Sequence, residues 1–359
     1  MRTTMPPTAP ASAIRAGAPR VGTPRVGTLR DERPALAGPP VPRFDERPIL
    51  VYWEVTRACD LACRHCRAEA VPEPVPGELD TAEGRRLLEA MAGFGRPLPR
   101  LVVTGGDPLK RADLFELIAA ARQLGLAVSL TPSVTPTLQR TVVERLAAVG
   151  VDSVGLSLDG STAERHDAIR GIGGTFEATL EAAGWIRAAG LGLQINTLVA
   201  EETVADLPGI ARLVAGLEAM RWSLFFLVPV GRGRLLNGLD PARAERVLRW
   251  LVELSRGVPF AVKATEAMHV RRIAIARLRR AGWADDAIAR TDFGRGFGVN
   301  DGKGIVFVSA EGRVYPSGFL PLPVGDVRRY DLVAVYRGAE LLRELRDPDA
   351  LKGKCGACE

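Results

Sequence analysis

Six times between residues 47 and 257, a short apolar run gives way to a longer stretch in which apolar residues recur at three and four. The short runs, at 49–55, 100–104, 127–131, 153–158, 192–199 and 222–228, are rich in β-branched and aromatic residues and read as buried strands. The longer stretches, at 81–93, 112–124, 137–149, 175–189, 204–219 and 241–254, read as helices. Gly95, Gly125, Gly150, Gly190 and Gly257 stand near their ends, where a glycine closes a helix. Strand–helix units in succession make an α/β fold, with a parallel sheet and right-handed crossovers. A flat doubly wound sheet and a barrel-like curl both satisfy the pattern. Polar residues at the C-terminal ends of several successive strands favour the curl.

The first strand runs into Cys59-Asp60-Leu61-Ala62-Cys63-Arg64-His65-Cys66, three thiols in one short loop. Three thiolates can hold three irons of a [4Fe–4S] cube and leave the fourth iron open. An open iron can take a small molecule by its amine and carboxylate. A zinc site built from the three cysteines and His65 is the alternative, although zinc commonly uses paired C-x2-C knuckles. A disulfide framework needs an oxidising compartment and an even set of partners.

Further polar clusters close later strands. Thr104-Gly105-Gly106-Asp107-Pro108 follows the second. Adjacent glycines let a backbone approach a ligand closely, and a plain tight turn is the other reading. Ser157-Leu158-Asp159-Gly160 closes the fourth strand. Its short side chains reach a ligand or form an Asx turn. His166-Asp167-Ala168-Ile169-Arg170-Gly171 comes next, with His166 either structural or catalytic. Asn196 is a polar residue in an apolar strand and needs partners, from a ligand or the backbone. Val228-Pro229-Val230-Gly231-Arg232-Gly233 closes the sixth strand, and Cys355-Gly356-Ala357-Cys358 stands at the end of the sequence.

The C-x3-C-x2-C spacing of Cys59, Cys63 and Cys66 resembles the signature of the radical S-adenosylmethionine (SAM) enzymes. The resemblance implies a partial (β/α)6, TIM-like barrel with a small C-terminal α+β, SPASM-like extension. It implies that the open iron chelates SAM, whose reductive cleavage yields a 5′-deoxyadenosyl radical for hydrogen abstraction. Gly105 and Gly106 match the family's Gly-Gly-Glu-Pro motif, which holds the SAM amino group; Asp107 replaces the glutamate. By the same resemblance Ser157, Asp159, Arg170 and Asn196 join the SAM site, with Arg170 on the SAM carboxylate. The loop at 228–233 matches the place where the family contacts adenine through backbone. An electron donor such as flavodoxin or ferredoxin is implied as a partner.

After residue 257 the repeat is expected to stop. A strand at 260–264, a basic helix at 268–281, a hairpin at 305–309 and 313–316, and a short helix at 338–346 suggest a smaller second module over 258–359. Together with Cys355 and Cys358 it resembles the SPASM/twitch extension, which binds auxiliary [4Fe–4S] clusters. Ser317 stands where many such extensions carry cysteine, and two thiols do not complete a site needing four. The extension is therefore expected to be either truncated, a second cluster belonging to a longer chain, or one that has lost its auxiliary cluster. Tyr-Pro-Ser-Gly-Phe-Leu-Pro from Tyr315, with Gly-Gly-Asp-Pro-Leu from Gly105, resembles the heme- and heme d1-forming enzymes; the next nearest relatives modify peptides. A tetrapyrrole or a peptide is thus the expected substrate. Lys263, Glu266, His269, Arg271 and Arg272 form a group that can pair with propionates or can be a solvated helix face.

The formal charge of +6 comes without a basic block interleaved with aromatics, so no nucleic-acid partner is expected. No apolar run is long enough to span a bilayer, so no membrane partner is expected. Five cysteines, three in one loop and two at the end, fit metal binding in a reducing cytoplasm. Residues 1–46 are rich in Pro, Ala and Arg, too poor in apolar surface to offset their ordering entropy, and are expected to be a disordered tail. A non-catalytic metal-binding protein, structural or sensing, is the alternative from another class.

Overall fold

The structure, a computed structural model, describes residues 42–291 and 298–357. In chain order the elements are β1 (Leu50–Glu54), α1 (Thr81–Ala92), β2 (Arg100–Thr104), α2 (Leu114–Gln123), β3 (Val128–Leu130), α3 (Arg140–Ala148), β4 (Ser153–Ser157), α4 (Ala163–Arg170), α5 (Thr175–Ala188), β5 (Gly192–Val199) and α6 (Leu207–Gly216). They continue with β6 (Arg221–Phe226), α7 (Pro241–Gly257), β7 (Ala261–Thr265), α8 (Val270–Arg280), α9 (Asp285–Ala289), β8 (Ile305–Val308), β9 (Arg313–Tyr315), β10 (Gly325–Asp326), α10 (Leu332–Gly338), α11 (Glu340–Glu344) and α12 (Gly353–Gly356). All strands join one sheet, in the order β10-β9-β8-β1-β2-β3-β4-β5-β6-β7, parallel from β8 to β7. This is the α/β partial barrel expected, with antiparallel β8–β9–β10 at its C-terminal edge.

Side chains on a strand alternate between faces, and here the two faces differ in chemistry. Val51, Trp53, Leu101, Val103, Val154, Leu156, Leu193, Ile195, Trp222 and Leu224 point outward and are buried beneath the helices. Trp53 packs so closely on α1 that a Cβ on Gly84 would lie 2.8 Å from its ring. The helix begins where the sequence provides a capping box, Asp80 accepting from Glu83 N–H at 2.7 Å and the Glu83 side chain from Asp80 N–H at 3.0 Å. The inner face carries Tyr52, Arg100, Ser129, Gln194, Asn196, Arg221 and Lys263, half-buried and polar.

Three differences from the sequence expectation have physical causes. The repeat does not stop at 257: β7 continues the parallel sheet beside β6 and β8 returns to β1, so residues after 257 extend both edges. Helix α4 had no apolar stripe to show it, because its buried residues are His166, Ile169 and Arg170. The helix expected over 204–219 is a tight turn at Val204–Asp206 followed by α6, restarted with Pro208 in its first turn, where a missing N–H costs nothing. Residues 1–41 of the expected tail, and Cys358, lie outside the described residues.

Candidate active site

The cysteine loop leaves β1 and crosses the C-terminal ends of the neighbouring strands. Backbone bonds dock it to the loop after β2: Val55 N–H to Thr104 O at 2.9 Å, Gly106 N–H to Thr56 O at 2.8 Å and Asp107 N–H to Ala58 O at 2.6 Å. Its start is tied down by Glu78, whose Oε1 accepts from the Thr56 hydroxyl (3.1 Å) and from the N–H groups of Arg57 (2.8 Å) and Val75 (3.2 Å). Cys59 and Cys63 are buried and pack with Leu61, Ala70 and half-buried Cys66. All three are free thiols. Leu61 N–H points at Cys59 Sγ and Ala70 N–H at Cys66 Sγ, each at 3.4 Å, and Ser133 Oγ lies 3.3 Å from Cys59 Sγ. Backbone N–H groups directed at sulfur are what cluster thiolates use to tune their charge. Among the described residues no three His, Cys, Asp or Glu side chains converge closely enough to share one metal ion. A cube is held through three separate irons, so its thiolates stand apart around it. Three free thiols in one loop, with backbone N–H groups aimed at two of them, are a donor set that fits a cube. Burial pushes the Cys63 thiol up, and the nearby Arg170 charge opposes that shift.

The glycines after β2 serve a purpose the sequence did not show. A Cβ on Gly105 would lie 2.5 Å from Thr56 O, and one on Gly106 would lie 2.4 Å from Ala58 O. Their bare backbones make room for the cysteine loop itself. Asp107 is fully buried, and its carboxylate accepts from Leu109 N–H (3.1 Å), Ser133 N–H (3.3 Å), Thr135 Oγ1–H (2.9 Å) and Thr137 Oγ1–H (3.0 Å). Burial raises this carboxyl while those bonds oppose the rise. Its side chain ties the β2 and β3 loops together.

After β4, Asp159 sits at the centre of a buried charge group. Its Oδ1 accepts from Leu198 N–H at 2.8 Å, and its Oδ2 lies 3.4 Å from Arg170 Nη1. Burial would raise the Asp159 carboxyl, but His65, Arg170 and His166, the histidines in their protonated form, hold it below the usual range. Arg170, fixed by α4, stands where its charge also acts on Cys63 and Cys59. The α4 terminus braces the loop directly: Arg64 N–H donates to Ile169 O at 2.9 Å, and a Cβ on Gly171, at φ +80°, would meet Ala62 O at 2.9 Å. His166 is fully buried, and its Nδ1 accepts from Asp159 N–H at 3.0 Å. Burial pushes it down to about 4, so it is neutral near pH 7 and supports the Asp159 turn. Ser157 and Asn196 pair in register on the inner face, and Asn196 Nδ2 lies over Gly155, 3.1 Å from where a Cβ would be.

Sequence reasoning missed Arg232. After β6 it reaches back 169 residues to donate from Nε to Cys63 O at 3.0 Å and from Nη1 to Ala70 O at 3.1 Å, while its own N–H donates to Cys66 O at 3.0 Å. Gly231, at φ +53°, lets the chain pass: a Cβ would lie 2.5 Å from Cys66 O and from Arg67 O. Replacing Arg232 by glutamine removes two charge-assisted bonds to backbone carbonyls and is expected to cost about 2 kcal/mol. The test is iron retained after desalting, together with the melting temperature. Iron content and melting equal to the parent protein's would show that the loop stands without this clamp.

The basic group after 257 divides. Lys263 faces the inner side of the sheet, whereas His269 is exposed and Arg272 pairs with Glu245 at 2.5 Å on the outside. Cys355 is exposed in α12, and its expected partner Cys358 falls outside the described residues. Ser317 is buried and caps a turn, accepting from Phe319 and Leu320 N–H at 3.1 and 3.2 Å.

The model of the radical SAM superfamily matches residues 53–214. The chain is 37% identical over 312 residues to an AdoMet-dependent heme synthase of Methanosarcina barkeri, covering 87% of this chain and 88% of that one. The chain belongs to the radical SAM superfamily. A second AdoMet-dependent heme synthase, from Nitratidesulfovibrio vulgaris, is 38% identical over 319 residues, 86% of this chain and 84% of that one. Among solved structures, Streptococcus suis SuiB bound to S-adenosylmethionine has the same fold, with a TM-score of 0.64 at 16% identity over 84% of this chain and 68% of that one. As a radical SAM enzyme of the SPASM-type branch, the protein uses a [4Fe–4S] cluster and SAM. Among the described residues no helix is long and apolar enough to cross a membrane.

Proposed function

We propose that this radical SAM enzyme acts on an acid-bearing, heme-type tetrapyrrole. The reading is supported by its identity with AdoMet-dependent heme synthases along nearly the whole of both chains. Cys59, Cys63 and Cys66 would hold the cluster. The backbone of Gly105 and Gly106, with Ser157, Asp159, Arg170 and Asn196, would seat SAM. When bound, the cluster and SAM supply a 5′-deoxyadenosyl radical for hydrogen abstraction; flavodoxin or ferredoxin is a suitable electron donor.

The chain's own residues orient and shield. Arg170 is held by Asp159 with its charge directed toward the thiols, a suitable place for the carboxylate of SAM. Ser157 and Asn196, paired in register, present polar groups to the inner face of the sheet. Asp107, Glu78 and Arg232 keep the loops closed over the strand ends, and half-buried Arg67 covers the other side, paired with Glu54 at 2.9 Å and stacked on Phe307 at 4.5 Å.

The test is anaerobic reconstitution followed by reduction in the presence of a porphyrin tetracarboxylate. The expected result is 5′-deoxyadenosine formation that rises when the porphyrin is added, with a mass loss on the porphyrin. SAM cleavage indifferent to the porphyrin, with the porphyrin recovered unchanged, would remove tetrapyrroles as the substrate class.

A further inference from the structure

The register of the sheet brings together two cations that lie 42 residues apart in sequence. Ser157 of β4 pairs with Asn196 of β5, Asn196 with Ser223 of β6, and Ser223 with Lys263 of β7. These four side chains form one polar row across the inner face. Arg221 stands on β6 one step deeper on the same face, opposite Gln194. At about 4.8 Å per strand, Lys263 is about 10 Å from Asn196. A substrate whose reacting carbon lay beside the Ser157–Asn196 end would thus extend its far side over Arg221 and Lys263.

Neither cation is in close contact with a carboxylate among the described residues, and the Glu266 charge acts on Lys263 from further off. Arg221 Nη1 reaches only the Gln194 Oε1 at 3.4 Å, and its Nε is buried without a partner. Thr265 Oγ1, on the same face of β7, is also buried without a partner. Arg100, by contrast, is paired with Asp152 at 3.1 Å. Among the described residues, neither Arg221 nor Lys263 has a carboxylate within ion-pair distance. Burial pushes Lys263 down to about 8, with the Arg221 charge adding to that and Glu266 opposing it. Two like charges sharing a half-buried wall destabilise the empty protein, and an anion between them removes the conflict. Tyr52, on β1, faces the pair from across the sheet. Burial, with the Glu266 charge adding to it and the Arg221 charge opposing it, pushes its hydroxyl up to about 12, so it remains a hydrogen-bond donor.

We propose that Arg221 and Lys263, with the Tyr52 hydroxyl, form a carboxylate-binding subsite that holds acid side chains of the substrate at the far end of the Ser157–Asn196–Ser223 row. The proposal rests on the tetrapyrrole reading above and adds what this chain uses to recognise one. Guanidinium and ammonium groups suit carboxylates by charge-assisted hydrogen bonds, and a peptide backbone offers no such pair of anions at fixed spacing.

The test titrates the reconstituted full chain with a porphyrin tetracarboxylate and with its tetramethyl ester, following porphyrin fluorescence. Loss of charge-assisted bonds to one carboxylate corresponds to about tenfold in affinity, so the acid should bind at least about tenfold more tightly than the ester. Arg221→Gln and Lys263→Met should each weaken acid binding by about tenfold and leave ester binding unchanged, and Arg221→Lys should restore most of it. Equal affinity of the parent protein for acid and ester overturns the subsite and leaves the tetrapyrrole reading standing. That comparison needs no variant to fold. Unchanged acid binding in both charge-removing variants also overturns the subsite. Binding of neither porphyrin overturns the subsite and the tetrapyrrole reading together.

Discussion

Replacing Cys59, Cys63 or Cys66 by alanine is expected to abolish reductive SAM cleavage. The effect should be all-or-none and the same at each position. A cube on three thiolates presents one open iron; on two it presents two, and it exchanges and decays. Nothing nearby replaces a lost thiol. Cys355 is the only other cysteine among the described residues, and it is exposed in α12. Ser133 lies 3.3 Å from Cys59 Sγ, but a neutral hydroxyl is a poor iron ligand. The parent protein should carry about four irons for this site, and each variant far fewer after desalting. Formation of 5′-deoxyadenosine above background by any of the three would contradict the ligand assignment. The buried positions of Cys59 and Cys63 also separate ligand loss from general unfolding. Alanine in a small apolar cluster with Leu61 and Ala70 should cost about 1 kcal/mol, leaving the apo fold intact by circular dichroism.

Gly106→Ala is expected to cause the second-largest loss, and it removes no cysteine. The added Cβ would lie 2.4 Å from Ala58 O, 2.6 Å from Arg57 O and 2.8 Å from Ala58 C. All three are backbone atoms, so no rotamer change relieves the overlap. Either the cysteine loop lifts or the β2 loop drops. Both movements stretch the bonds from Gly106 N–H to Thr56 O and from Asp107 N–H to Ala58 O. Overpacking together with one or two weakened buried bonds costs about 2–4 kcal/mol. The displacement also moves Cys59, the next residue, away from its partners. A lower melting temperature and incomplete iron loading should therefore appear together. Gly173→Ala is the control: no atom lies within 4 Å of its Cβ, and the change should stay within about 0.5 kcal/mol. Parent-like melting and full iron in Gly106→Ala would show slack between the two loops.

Much of this protein was legible in its sequence because the signals were local. A strand or helix announces itself through the period of its apolar residues, and β1 to β6 lie where that period places them, to within two or three residues. The cysteine loop was legible for the same reason: its three thiols fall within eight residues, Cys59 to Cys66. The hairpin of β8 and β9 declared itself by its turn. Helix α4 did not, since burying His166 and Arg170 in place of leucines removes the stripe that marks a helix.

Tertiary structure alone decided what surrounds the loop. Glu78 and Arg232 hold it through backbone carbonyls and N–H groups, which every residue carries, so no pattern of residue types points to them. Whether Gly105 and Gly106 made room for a ligand or for the chain itself depended on a segment some 50 residues earlier. The return of β8 to β1 was open in the same way, because an edge strand's unpaired backbone accepts any neighbour. Lys263 read as one of five charged residues in a basic segment, and only the pairing of β6 with β7 separated it from Arg272 and set it beside Arg221. Periodicity tells which face of an element is apolar; register and curvature, set by the packing of the whole sheet, decide which polar side chains meet on the other.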